Sequence, residues 1–134
     1  MNQAQIMMVQ SSWAEVEPLS GKLGEAFYKK LFELAPDVKR LFEGDMRKQG
    51  ETLMGMISMA VEMLDHQDTM QAALGKLGDR HAGYGVQPQF FAPFKEALMW
   101  ALERVLGPTF SGDLREAWEE LFDLMAQMMG DRPH

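Results

Sequence analysis

Apolar residues recur every three or four positions along almost the whole chain, and prolines and glycines cut that rhythm into segments. Such a period gathers apolar side chains on one face of an α-helix, and a chain built of these segments must bury the faces against one another. Ile6, Val9, Trp13 and Val16 form the first stripe. Pro18 ends it, because its ring lacks a backbone donor and clashes with the preceding turn. Leu23, Phe27, Leu31 and Leu34 form the second stripe, which stops before Pro36. A short helical turn from Pro36 reaches Leu41 and Phe42, and Glu43-Gly44-Asp45 reads as a loop. Leu53, Ile57, Ala60 and Leu64 define a third long helix, closed by the polar stretch from Asp65 to Asp68. A shorter helix carries Leu74, Leu77 and His81 before Gly83, Gly85 and Pro88 mark a corner. Phe94, Leu98, Ala101 and Val105 follow, then the turn at Gly107-Pro108. Ser111 or Asp113 is placed to cap a last helix carrying Leu114, Trp118, Leu121, Met125 and Met128. The expectation is an all-α fold of five substantial helices, one shorter helix and a helical corner.

A length of 134 residues predicts a single domain over positions 1–134, large enough to bury a core without staples. Hydrophobic residues at 46% and charged residues at 25% exclude a disordered chain. No apolar run approaches the roughly 20 residues that span a bilayer, and Met1 to Gln10 lacks the basic flank and apolar centre of a signal peptide. A cytoplasmic address without membrane contact is therefore expected. The net charge of −7 argues against nucleic acid as a partner, because a phosphate-binding surface needs clustered Lys and Arg. Cysteine is absent, which excludes disulfides, thiolate-bound metal, a Cys nucleophile and covalent c-type haem attachment. Most of the 13 methionines fall at core spacings between Leu, Ile and Ala, so they read as core filling rather than as a metal site.

Three histidines are present, and they differ in setting. His66 lies in a polar stretch and His134 is the last residue, so both are expected in solvent. His81 lies on the apolar face that carries Leu74 and Leu77, beside Arg80 and just before Gly83. A histidine there is either a hydrogen-bonded core residue or a metal ligand. A neutral imidazole on a helix that passes the macrocycle suits the strong axial donor haem ligation needs, and the Leu77 carbonyl, four residues back, is placed to fix its other ring nitrogen.

Gln49, Leu53, Met56 and Ala60 share one helical face, where Gln49 is the polar start of an apolar stripe. It is either a partly exposed helix-start residue or an amide donor aimed at a ligand. Tyr28 follows Phe27 in a strongly apolar helix, and its hydroxyl needs a partner, either a backbone carbonyl or a ligand. Gly24 and Gly50 each lie inside an expected helix, where Gly costs roughly 1 kcal/mol relative to Ala. If these glycines meet, two backbones cross closely and bring Tyr28 and Gln49 toward one space.

At this point the sequence resembles the globin family, in particular bacterial single-domain haemoglobins and the globin domains of flavohaemoglobins. Phe27-Tyr28, Leu31-Phe32, Pro36, Leu41-Phe42, Gln49 with Leu53, and Arg80-His81 leading to Tyr84-Gly85-Val86 carry the resemblance in order and spacing, over nearly the whole chain. The resemblance implies a globin fold around non-covalently bound haem b, iron protoporphyrin IX. It places the proximal ligand on His81, the ring-wedging phenylalanine on Phe42, and the distal tyrosine and glutamine on Tyr28 and Gln49. Leu53 would line the distal pocket, Val86 and Tyr84 would lie at the haem, and Arg80 would pair with a propionate. Two departures stand out. The position expected to hold a proximal tyrosine carries Phe91, and the one expected to hold a glutamate falls near Pro133, which puts strong electron push on the imidazole in doubt.

The function implied is tight, reversible binding of dioxygen, with carbon monoxide and nitric oxide as further ligands. Dioxygen at a haem is polarised, and hydroxyl and amide donors at roughly 1 to 1.5 kcal/mol each would raise affinity on the order of ten- to a hundredfold. The same pocket serves a nitric oxide dioxygenase. With no flavin or nicotinamide domain and no dinucleotide fingerprint before His134, turnover is expected to need a separate reductase. A haem sensor would need a fused output domain, and a helical interaction module without cofactor would show no haem absorption.

Overall fold

A computed structural model describes residues 1–41, 46–73, 91–110 and 112–130. Helix α1 (Gln3–Val16) begins at a reciprocal cap: Asn2 Oδ1 accepts from the Gln5 amide at 2.8 Å, and Gln5 Oε1 accepts from the Asn2 amide at 3.0 Å. A 3-10 turn over Glu17–Leu19, with Pro18 inside it, turns the chain into α2 (Ser20–Leu34). Ala35 leaves the helical conformation ahead of Pro36, as a residue before proline is biased to do, and Pro36–Leu41 forms a second 3-10 segment. Helix α3 (Met46–Glu62) runs into the 3-10 turn Met63–Asp65. Residues 67–73 are helical again and are denoted α4. Helix α5 (Phe91–Leu106) is followed by the 3-10 turn Gly107–Thr109, and α6 spans Gly112–Gly130. The described residues contain no strand. Five helices of 14 to 19 residues match the expected all-α architecture, and the expected shorter helix carrying Leu74, Leu77 and His81 lies outside the described residues.

Three local expectations are corrected. The polar stretch does not stay non-helical through Asp68: His66 alone breaks the helix, with φ −134° and ψ 65°, and Gln67 and Asp68 already belong to α4. Of the two cap candidates, Asp113 lies within the first turn of α6, where a carboxylate favours the positive end of the helix dipole, and Ser111 lies outside the described residues. Gly112 opens that helix at φ +54°, a conformation that glycine adopts without a Cβ penalty. Leu34 ends the second stripe but is 37% exposed, although Leu31 before it and Val38 after it are fully buried. The expected loop at residues 43–45 and the corner at 83–88 lie outside the described residues.

Packing follows the stripes. The most extensive contact is between α2 and α5, α1 packs on α6, and α3 crosses α2. Val9, Val16, Leu23, Leu31, Ala60, Ala97, Ala101, Leu102 and Ala117 are fully buried at the centre. Met54, Met70, Met99, Met125 and Met128 are buried among them, and Met8, Met56, Met59 and Met63 pack partly buried against the core, while Met7 is exposed. The Trp118 indole N–H on α6 donates to Ser12 Oγ on α1 at 2.8 Å, and Ser12 donates on to the Val9 carbonyl at 2.9 Å. Gln10 Nε2 donates to the Val61 carbonyl, fastening α1 to the end of α3, and Lys95 bonds Asp123 across α5 and α6 at 2.9 Å. Among the described residues no helix is long and apolar enough to cross a membrane.

Candidate functional site

The crossing of α2 and α3 sets the geometry of the site. A Cβ built on Gly24 would stand 4.0 Å from the Cα of Gly50, so two main chains meet here with no side chain between them. A Cβ on Gly50 would lie 3.7 Å from Tyr28 Cε2, so the phenol ring rests on the backbone of the first turns of α3. Both helices are interrupted by glycine where their backbones touch, and the cost of each glycine is offset by that approach.

Tyr28 is thereby brought to Gln49. Its hydroxyl donates to the Gln49 main-chain carbonyl at 3.3 Å, long for an O–H···O bond. The ring is 9% exposed and held on its other sides by aromatic neighbours: Phe27 meets it nearly edge-on at 5.0 Å and 72°, and Phe32 lies 5.9 Å away at 31°. Phe27 in turn meets Phe94 of α5 at 6.0 Å and 80°, so an aromatic run joins α2 to α5 beneath the crossing. Burial pushes the Tyr28 hydroxyl up to about 12, because the phenolate would lose its hydration. The group is a neutral phenol across the physiological range.

On α3, Gln49, Leu53 and Met56 are all half-buried, while Ala60 on the same face is fully buried. Phe32, which meets the Tyr28 ring, and Phe94, which meets Phe27, are half-buried as well and extend this apolar wall. A large apolar group fits against such a wall, and Tyr28 and Gln49 supply its few polar atoms. Lys39 stands 5.9 Å from the Phe32 ring at the rim. No group of three or more potential metal-ligating His, Cys, Asp or Glu residues occurs among the described residues. His66 is exposed between α3 and α4, as its polar setting implied.

Of the residues singled out in the sequence, Tyr28, Gln49 and Leu53 fall in the described helices, and the first two are brought together. Phe42, Arg80, His81, Tyr84 and Val86 lie outside the described residues, as does Pro133, and only the helical backbone of Phe91 is described. Two contributors were missed. Phe32 carried a signal, since it lies four residues after Tyr28 on the same helical face. The Gln49 carbonyl carried none, because every residue has one.

Comparisons with known proteins agree with this architecture. The globin family profile matches residues 25–129. A flavohemoprotein of Xylella fastidiosa is 30% identical over 111 residues, covering 81% of this chain and 28% of its own length. The chain thus spans less than a third of the flavohemoproteins it matches. Neuroglobin of Tetraodon nigroviridis is 29% identical, with 91% of this chain and 86% of that protein covered. Among solved structures, an engineered carbene transferase from a candidate nitric oxide dioxygenase of Rhodothermus marinus superimposes with a TM-score of 0.88 at 26% identity, covering 98% of this chain and 92% of that one. With the profile matching most of its length and the α2–α3 crossing in place, the chain belongs to the globin family of haem-binding proteins.

Proposed function

We propose that this globin holds haem b without covalent attachment and binds dioxygen reversibly and tightly, with carbon monoxide and nitric oxide as further ligands. The observation that carries the reading is the convergence of Tyr28 and Gln49 beside a half-buried apolar wall at the glycine crossing. When bound, haem supplies the iron at which a diatomic gas is held. By the resemblance, His81 would be the iron ligand, Phe42 would wedge against the ring, Val86 would contact the haem edge, Tyr84 would contribute to the haem site, and Arg80 would pair with a propionate. Leu53 and Met56 exclude water from the distal side, and Tyr28 and Gln49 offer a hydroxyl and an amide to a polarised ligand. The absence of cysteine supports non-covalent retention.

A nitric oxide dioxygenase activity is a second reading, favoured by the likeness to flavohemoproteins and to the Rhodothermus marinus protein. It would draw electrons from a reductase. Absorption spectra of the purified protein, as isolated, reduced, and reduced with carbon monoxide or dioxygen, test the main reading. A Soret band that shifts to a stable oxygen form supports it, and a protein with no haem after reconstitution sinks it. Sustained nitric oxide consumption with a reductant over many turnovers would select the enzyme.

A further inference from the structure

We propose that the outer face of α2, α5 and α6 docks a second copy of this chain, the cations at one edge of each copy meeting the carboxylates at the opposite edge of the other. The inference concerns the protein surface and depends neither on haem nor on a gas.

Cross-helix contacts join the three helices into one layer. Lys30 of α2 stands 5.2 Å from the Trp100 ring of α5, and Glu103 and Lys95 of α5 pair with Arg115 and Asp123 of α6 at 3.7 Å and 2.9 Å. Charge is spread unevenly across this layer. At the α2–α5 edge the half-buried Trp100 carries two cations, Lys30 and, one turn along α5, the exposed Arg104 at 4.6 Å. Lys30 has a long pair with exposed Glu33 at 3.8 Å, and Arg104 has no carboxylate partner among the described residues. The middle of the layer is occupied by its own pairs, Lys95 with Asp123 and Arg115 with both Glu103 and Glu119. Beyond them α6 carries five carboxylates and one arginine. Asp113 and Glu116, exposed, and Glu120, half-buried, repeat at i, i+3 and i+7 on one side of that helix, with no cationic partner among the described residues.

Two chains of net charge −7 repel each other in most orientations. A half-turn about an axis running along the helices in the plane of this face is the exception, because it sets each cationic edge over an acidic one, and the converse contact follows by symmetry. The levels match as well. The two α5–α6 pairs show that these helices run in opposite directions, with Glu103 beside Arg115 and Lys95 beside Asp123. Arg104 therefore stands level with Glu116, and Trp100 with its Lys30, one turn earlier on α5, stands level with Glu120. Arg104, held over the indole, keeps N–H donors for a carboxylate of the second copy. An indole with a stacked arginine is also the kind of anchor that dominates an interface. Both halves of the complementarity lie on this molecule, which favours a second copy over a foreign protein.

Sedimentation of the full chain over a wide concentration range tests the proposal, with circular dichroism to check that each variant keeps its helices. The unaltered protein is expected to dimerise as concentration rises. Lys30→Glu with Arg104→Glu, and Glu116→Lys with Glu120→Lys, are each expected to leave monomers. An equimolar mixture of these two double variants is expected to dimerise again, because each reversed edge then faces its opposite. Arg104→Gln and Glu116→Gln only neutralise a charge and are each expected to weaken dimerisation about threefold or more, since every substitution counts twice in a symmetric pair. Monomers at every concentration, dimers that survive either reversal or both neutralisations, or a mixture that stays monomeric would overturn the inference.

Discussion

Gly24 and Gly50 meet at the crossing of α2 and α3, where a methyl group on Gly24 would stop 4.0 Å from the Cα of its partner. That distance is ordinary van der Waals contact, so the crossing admits a methyl group and little more. Gly24→Ala is expected to be neutral or to stabilise by up to about 1 kcal/mol, because the helix gains the propensity that glycine lacks. Gly24→Leu drives three more carbons into the same gap and is expected to cost about 1–3 kcal/mol through overpacking. Urea unfolding of the two variants gives the comparison, and equal effects would mean that the two helices do not approach this closely.

Tyr28 makes stability depend on alkaline pH. Its hydroxyl is raised to about 12 in the folded protein by burial, against about 10 in an unfolded chain. The folded state therefore keeps a proton that the unfolded state gives up. The contribution is fully present below about pH 10 and is lost as pH rises toward about 12. Tyr28→Phe is expected to flatten the fall in unfolding free energy between those limits. An unaltered pH profile in the variant would assign the slope to other groups.

The helices were legible because burial imposes a period on the sequence and proline interrupts it: Val9, Trp13 and Val16 are buried where the stripe places them, and Pro18 and Pro36 fall at the joints. Gly24 and Gly50 were legible for a different reason, since two costly residues inside helices demand a compensating contact. Long-range polar pairing was not. Nothing in the local sequence connects Ser12 to Trp118, 106 positions away, or the Tyr28 hydroxyl to one particular carbonyl. Leu34 continues its stripe and still meets solvent, because a stripe shows which face of a helix is buried but not how far along it the burial extends. Asp113 has the chemistry of a cap, and only the backbone conformation at Gly112 places the helix start one residue ahead of it.

The two buried tryptophans of the α1–α6 contact differ in one atom's surroundings. Their rings lie 6.0 Å apart at 53°, yet Trp118 donates its N–H to Ser12 while the buried Trp13 Nε1 has no acceptor among the described residues. An unpaired buried donor costs about 1–3 kcal/mol, and a made neutral bond contributes about 1 kcal/mol. Phenylalanine removes the donor and some volume at either place. Trp13→Phe is therefore expected to destabilise less than Trp118→Phe by about 1–3 kcal/mol in side-by-side denaturation. The opposite order would require an acceptor for Trp13.

His81 is the one histidine whose sequence setting suits an axial ligand; His66 is exposed between α3 and α4, and His134 is the last residue. A neutral imidazole is a strong axial donor for non-covalently held haem. His81→Ala is expected to lose haem or to bind it far more weakly, and added imidazole is expected to restore much of the absorption by filling the vacated ligand position. His66→Ala is expected to keep its haem spectrum unchanged. Imidazole rescue separates a missing ligand from a misfolded variant, because an unfolded chain would not regain the spectrum. Normal haem spectra in His81→Ala without imidazole would move the ligand to another residue.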